Sequence, residues 1–182
     1  MTAEILDAAE RVFTQYGARR ANVEDVARAA GVSRSTLYRA FSTKDDLLEA
    51  VLTRQANEFL AQLDRSSDGL PPREAVVESF TRGIALTQEM PLLARLLQTE
   101  PEIITGMGGL SSASLIIALA DQVAATLRRA GATMPDSELG VVAELMMRLA
   151  YTYTLNPGGH VDMTDEAASR HYARTYLAPL VY

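Results

Sequence analysis

Polar and cationic side chains cluster between residues 33 and 39 of this 182-residue chain. The cluster consists of Ser33, Arg34, Ser35, Thr36, Tyr38 and Arg39. Arg34 or Arg39 could bind guanine through two parallel hydrogen bonds, each pair contributing about 1–3 kcal/mol of discrimination against other bases. Hydroxyl groups, as in Ser33 and Tyr38, are better suited to phosphate oxygens. The chemistry of the cluster therefore indicates contacts to nucleic acid.

Asn22 and Lys44 are further candidates for phosphate contacts. Each stands where a helix is predicted to begin, and the N-terminus of a helix favours anions. An ordinary helix cap or a solvated side chain is the alternative interpretation for these positions. For Asn22 and Ser33 the capping role and the phosphate role are compatible.

The distribution of charge supports a nucleic-acid contact in this part of the chain. The whole chain is acidic, with a net charge of −6. Between Gly17 and Lys44, however, six basic residues accompany only two acidic ones, whereas from Val51 onward fifteen acids outnumber ten arginines. A basic stretch within an acidic protein is typical of a DNA-contacting element. An ordinary solvated charged surface could have the same composition, so charge alone does not distinguish it from a DNA-contacting element.

Two short helices joined by a tight turn must position these side chains. Ala27 allows two helices to approach closely, and Gly31 can adopt the positive φ that the turn requires. Leu37 sets the buried side of the following helix, which at 100° per residue also includes Ala40 and Phe41. Ser35 and Arg39 then point outward, in the arrangement of a recognition helix that enters a major groove.

Helix signals continue through the rest of the chain, and strand signals are almost absent. Apolar residues recur with a period of 3.6 from Ile5 to Tyr16, and Asn22, Ser33 and Thr43 are suited to cap helices. A fourth helix is predicted over about residues 43–63. The last is predicted from about Thr164 to Leu177. We therefore predict an all-α fold of about nine helices.

The stretch Ile5–Val51 resembles the DNA-binding domain of TetR-family regulators over nearly its whole length. The matching pieces are Ala8-Ala9 with Phe13, Tyr16-Gly17, Val26-Ala27 with Ala30-Gly31-Val32-Ser33, Thr36-Leu37-Tyr38 with Phe41, and Lys44 with Leu47-Leu48. Family members often have Thr at the position of Asn22 and Gly at the position of Ser35. The capping function survives the first difference, whereas the second could alter base contacts.

The resemblance implies a three-helix DNA-binding domain over residues 1–46 and a larger ligand-binding and dimerisation bundle over residues 47–182, connected by the fourth helix. It implies a homodimer that binds double-stranded DNA at a palindromic operator. It also implies a small-molecule effector that controls this binding, as in a repressor.

The helix predicted from Asp136 to Leu155 is apolar on more than one face, which is typical of a buried helix. One stripe consists of Leu139, Val142, Met146, Leu149 and Tyr153, and the other of Val141, Leu145 and Thr152. In a domain of this size, we expect the chain's own core to bury one side of the helix and a partner subunit to bury the other. We assign the dimer interface, together with the last helix, to Leu139, Val142, Met146, Leu149, Tyr153, Ala173, Tyr176, Leu177 and Leu180.

Candidate effector contacts are residues predicted to face the interior of the C-terminal bundle. They are Phe80, Ile84, Leu97, Met107, Leu115, Leu119, Met147 and Tyr151. An ordinary hydrophobic core is the alternative for each. Because this lining is mostly apolar, we expect an apolar or amphipathic ligand.

Several other kinds of site are excluded or unsupported. The absence of cysteine excludes disulfides and zinc–thiolate sites. His160 and His171 have no carboxylate partner at metal-binding spacing, and we predict no catalytic residue, metal or cofactor. No apolar run approaches the roughly 20 residues needed to cross a membrane, so we expect a cytoplasmic protein without a membrane partner. A helical dimer that docks another protein, or a helical-bundle enzyme, remains an alternative.

Overall fold

The computed structural model describes residues 1–100, 102–103 and 112–182 of the chain. Within these ranges it contains nine α-helices and no strand, which confirms the all-α prediction. The helices are α1 (Thr2–Tyr16), α2 (Val23–Ala29), α3 (Arg34–Ala40), α4 (Lys44–Ser67), α5 (Pro72–Gln88), α6 (Pro91–Thr99), α7 (Ser112–Arg129), α8 (Asp136–Leu155) and α9 (Glu166–Tyr172). No helix in the described ranges is both long and apolar enough to span a membrane.

Most of the helix boundaries follow the local signals in the sequence. Gly17 ends α1 with a φ of 80°. The side chains of Asn22 and Ser33 accept hydrogen bonds from backbone N–H groups of α2 and α3. Thr43 and Asp46 cap α4 reciprocally, each side chain accepting from the other residue's N–H at 3.0 Å.

Two boundaries differ from prediction. The fourth helix continues to Ser67, one turn beyond the predicted end, because the first chain reversal comes at Gly69, which has a φ of 70°. The last helix is shorter than predicted: α9 changes to a π-helical segment, Ala173–Leu177, and then to a 3₁₀ turn, Ala178–Leu180. The turn contains Pro179, whose ring is incompatible with the interior of a continuous α-helix.

The chain divides into two compact units. The first consists of the described residues of Met1–Asn57 and Met90–Gly109, and the second of those of Glu58–Glu89 and Leu110–Tyr182. Helix α6 therefore packs with the N-terminal helices, although no sequence signal separates it from the C-terminal bundle. The division also falls within α4, after Asn57.

Each unit has its own hydrophobic core. In the first, Phe13 of α1, Leu37 of α3 and Leu92 of α6 are almost completely buried in one cluster. In the second, α5, α7 and α8 pack with the C-terminal segment around Val76, Leu127, Leu139 and Leu177, among others.

An aromatic cluster lies in the second unit. The ring of Tyr172 stacks on Phe80 at a centroid distance of 6.0 Å and contacts Tyr153 edge-on at 5.7 Å. Burial, together with the neighbouring Tyr153, raises the pKa of the Tyr172 hydroxyl to about 12.

Candidate nucleic-acid interface

The turn between α2 and α3 is built as the sequence predicts. Ala27 is buried where the helices meet, and its carbonyl accepts a hydrogen bond from the Val32 N–H at 3.0 Å. Gly31 has a φ of 66°, which L-residues with side chains rarely adopt. Leu37 is buried against the same core. These contacts fix α3 across α2, with one face of α3 directed to solvent.

Arg39 is the least restrained cation on the exposed face of α3. It is exposed, and its side chain has no hydrogen-bond or ion-pair partner within the described ranges. Tyr38 beside it is 38% exposed, and Ser35 is also exposed. The expected burial of Ala40 is wrong: this residue lies at the solvent-facing end of α3, and Phe41 alone continues the packing.

Arg34 is held by two neighbours. Its guanidinium donates to the Glu24 carboxylate on α2 at 2.6 Å and lies 5.4 Å from the centre of the Tyr38 ring. Both charged side chains are at least half exposed, so the ion pair is screened by solvent. The pair holds the guanidinium near the start of α3. An anion that binds here must either displace the Glu24 carboxylate from Arg34 or bind close to its negative charge.

The hydroxyl groups at the start of α3 form a small network. Ser33 Oγ lies 2.9 Å from the hydroxyl of Ser35 and 2.8 Å from that of Thr36, and it also accepts from the Thr36 N–H. Ser33 thus caps α3, as predicted, and is exposed. Thr36 is half-buried, and its hydroxyl contacts Ser33 within this network.

Asn22 and Lys44 occupy two further helix starts. Asn22 is exposed and caps α2 through a 3.0 Å hydrogen bond from the Glu24 N–H. The Lys44 ammonium donates to the carbonyl oxygens of Arg19 and Ala21 at 3.0 and 3.4 Å, and it is half-buried. Lys44 therefore ties the turn before α2 to the start of α4. An ammonium has three donors, so one hydrogen remains for a phosphate.

A second restraint on this turn comes from the C-terminal end of α6 and the residue after it, and it was not predicted. Glu100, which is buried, accepts a hydrogen bond from the Arg19 N–H at 3.1 Å, and Arg95 donates to the Thr14 carbonyl at 3.3 Å. A side chain at Gly17 would collide with the Glu100 carboxylate. The role of Glu100 in holding this turn is apparent only from its burial, and no local sequence signal predicts that an acid at residue 100 is buried.

An ion-pair network joins α1 to α4 behind the interface. Arg54 donates to Asp7 at 2.6 Å and to Glu10 at 2.7 Å, and Gln55 donates to Glu10 at 2.9 Å. Burial opposes the charge on Arg54, but the two carboxylates outweigh it, and the pKa of the guanidinium is raised above its ordinary value. The network keeps α1, which supports α2 and α3, fixed along α4.

The described residues that were expected to contact an effector differ in burial. Phe80, Ile84 and Leu97 are buried, and the first two belong to the core of the second unit. Leu119 and Met147 are half-buried, while Tyr151 is exposed. Met107 and the side chain of Leu115 lie outside the described residues.

Most of the residues assigned to the dimer interface pack in the chain's own core. Leu139, Met146, Ala173 and Leu177 are buried there, and Val142, Leu149 and Tyr153 pack against them. Tyr176 and Leu180 are exposed. The face of α8 that remains in solvent carries Val141, Leu145 and Leu155, which are 67%, 44% and 42% exposed.

Comparison with known proteins agrees with this geometry. Residues 5–51 match the family model described as bacterial regulatory proteins of the tetR family. The HTH-type transcriptional regulator MT1294 of Mycobacterium tuberculosis is 33% identical over 181 residues, which cover 97% of this chain and 83% of that protein.

Solved structures share the fold over nearly the whole chain. The TetR-family repressor AlkX of Dietzia sp., implicated in biodegradation of n-alkanes, has a TM-score of 0.65 at 20% identity, covering 94% of this chain and 92% of AlkX. FadR of Bacillus subtilis in complex with stearoyl-CoA has a TM-score of 0.64 at 15% identity, covering 96% of this chain and 98% of FadR.

Proposed function

This chain belongs to the TetR family of bacterial regulatory proteins and is a helix-turn-helix transcriptional regulator, and we propose that it is a homodimeric, effector-controlled repressor. DNA binding is assigned to residues 1–46, and effector binding and dimerisation to the described part of residues 47–182. Its site of action is the cytoplasm, where a bacterial operator is accessible.

The exposed face of α3 supports the proposal that the chain binds DNA sequence-specifically. Arg39 is free to contact a base edge, whereas Arg34 is positioned by Glu24 at the N-terminal end of the same helix. The hydroxyls of Ser33 and Ser35, the Tyr38 hydroxyl and the remaining donor of Lys44 are suited to phosphates. Asn22 and Thr36 complete the proposed contact set.

Dimerisation is proposed to use the solvent face of α8. At 100° per residue, Val141, Leu145, Thr152 and Leu155 fall within a single stripe, and Arg148 on the same stripe pairs with Glu144 at 2.6 Å. The same stripe on a second copy would cover these apolar side chains around a two-fold axis. The exposed Tyr176 and Leu180 are assigned to the same interface.

A two-fold dimer predicts the form of the operator. Two copies of α3 would enter successive major grooves of a palindrome whose half-sites are about 34 Å apart, or a multiple of that distance. Control by a small molecule is supported by the stearoyl-CoA complex of FadR, and repression by the description of AlkX as a repressor. The effector is proposed to be amphipathic.

The proposal is tested by selecting bound duplexes from a random DNA pool with the full chain. A palindrome should be enriched, and its affinity should fall steeply with salt, since phosphate contacts release counterions. Recovery of no sequence by the folded dimer, both as purified and after removal of bound small molecules, would contradict the proposal.

A further inference from the structure

A cavity of about 320 Å³ opens in the second unit and is lined by residues of α4, α5 and α7. Its volume lies at the lower end of the range typical of small-molecule sites. It equals the volume of about ten water molecules in the liquid. None of the described residues that the sequence suggested as effector contacts lines this cavity.

Apolar side chains and one buried, unpartnered hydroxyl group line part of the cavity. Leu60 and Leu63 of α4 and Val123 of α7 form its apolar walls. Ser79 of α5 also lines it, and the Ser79 Oγ is buried without a hydrogen-bond partner within the described ranges. Buried hydroxyls normally have a partner. Ser79 can therefore bind an oxygen of a molecule that fills the cavity.

The rim of the cavity is polar but electrically neutral. The Thr126 hydroxyl donates to Asp64 Oδ1 at 3.0 Å and accepts from Arg129 Nη2 at 2.9 Å, and Arg129 also pairs with Asp64. An anionic ligand would have to compete with Asp64 for Arg129. A cationic ligand would have to compete with Arg129 for Asp64. The closed triad thus disfavours charged ligands of either sign.

We propose that this cavity is the effector site and that it takes an uncharged molecule with an apolar body and a carbonyl or hydroxyl oxygen. The body lies against Leu63 and Val123, and the oxygen hydrogen-bonds to Ser79. The Gln122 amide, which also lines the cavity, can bind a second polar group near the opening. The inference rests on the proposed function, because it locates the control site of that regulator.

Three probes of equal chain length test the charge preference: 2-octanone, octanoate and octylammonium. Their affinities for the full chain without DNA are measured by titration calorimetry. We expect 2-octanone to bind at least tenfold more tightly than either ion. Tighter binding of octanoate or octylammonium, or no measurable binding of 2-octanone, would overturn the proposal.

Ser79→Ala and Ser169→Ala form a matched pair of variants. Both remove a buried hydroxyl without a partner in the second unit, but only Ser79 lines the cavity. Ser79→Ala should weaken 2-octanone binding about fivefold, as expected for one neutral hydrogen bond, and Ser169→Ala should leave it unchanged. Equal effects of the two variants would show that 2-octanone binds elsewhere.

Asp64→Asn tests the role of the neutral rim. It leaves Arg129 without its carboxylate partner, so octanoate should gain at least tenfold in affinity while 2-octanone changes little. If the Asp64→Asn variant bound 2-octanone in preference to octanoate by the same factor as the unchanged chain, the rim would not be what disfavours anions. Because these titrations contain no DNA, they fail or succeed independently of the duplex selection that tests the proposed function.

Discussion

At the scale of single residues, the two arginines of α3 are distinguished by their surroundings. Both were predicted from residue type, and Arg39 also from helical phase, and both are exposed. The pairing of Arg34 with Glu24, ten residues earlier, was not predicted, because it depends on the crossing of α2 and α3. Sequence periodicity gives the outward direction of a side chain but not its neighbour on another helix.

Glu24→Gln should increase the affinity for DNA. The substitution removes a carboxylate beside the proposed phosphate surface and releases Arg34, so binding to any duplex should strengthen about threefold to tenfold at low salt. The free energy of unfolding should change by less than about 1 kcal/mol, since the pair is exposed. Fluorescence anisotropy with selected and scrambled duplexes measures the effect. Weaker binding would mean that Glu24 positions Arg34 productively.

At the scale of elements, the contact of α6 with the end of α1 is the main departure from expectation. Helix starts and stops were predictable because caps, glycines and prolines act locally. The assignment of α6 to the first unit was not, because it depends on the burial of Leu92 and Leu96 against α1, which has no signature in the sequence of α6. The same limit applies to the two stripes of α8, either of which could have faced inward.

Glu100→Ala should destabilise the first unit. It removes the buried acceptor of the Arg19 N–H, and an unsatisfied buried donor costs about 1–3 kcal/mol. Urea denaturation measures the change. Glu102→Ala is the control, because Glu102 also contacts Arg19 but is half exposed, and its loss should cost less than about 1 kcal/mol. Equal effects of the two variants would refute the special role of Glu100.

At the scale of the whole molecule, the proposed regulator requires two copies. The apolar side chains that α8 leaves in solvent are unusual for a polar surface, and Val141 and Leu145 stand one helical turn apart. A single sequence predicts that α8 has two apolar faces. Which face remains exposed depends on how α5, α7 and the C-terminal segment pack against the other.

Leu145→Asp should disrupt the dimer without unfolding the chain. Because Leu145 is 44% exposed, the charge is tolerated in the separate chain, but in a two-fold interface a carboxylate from each copy would be buried among apolar side chains. Sedimentation should show at least tenfold weaker association. Ile117→Asp on α7, where the isoleucine is 48% exposed, is the control and should remain dimeric. A dimeric Leu145→Asp variant would place the interface elsewhere.

The most direct test of DNA reading by α3 is the affinity of the Arg39→Ala variant for the selected palindrome and for a scrambled duplex. Arg65→Ala, which removes an exposed arginine of α4 outside the first unit, is the matched control. We predict that Arg39→Ala weakens palindrome binding about tenfold to a hundredfold and scrambled binding much less, since a base contact contributes about 1–3 kcal/mol of discrimination. Equal losses on both duplexes, or an effect no larger than that of Arg65→Ala, would contradict the assignment of α3 as the recognition helix.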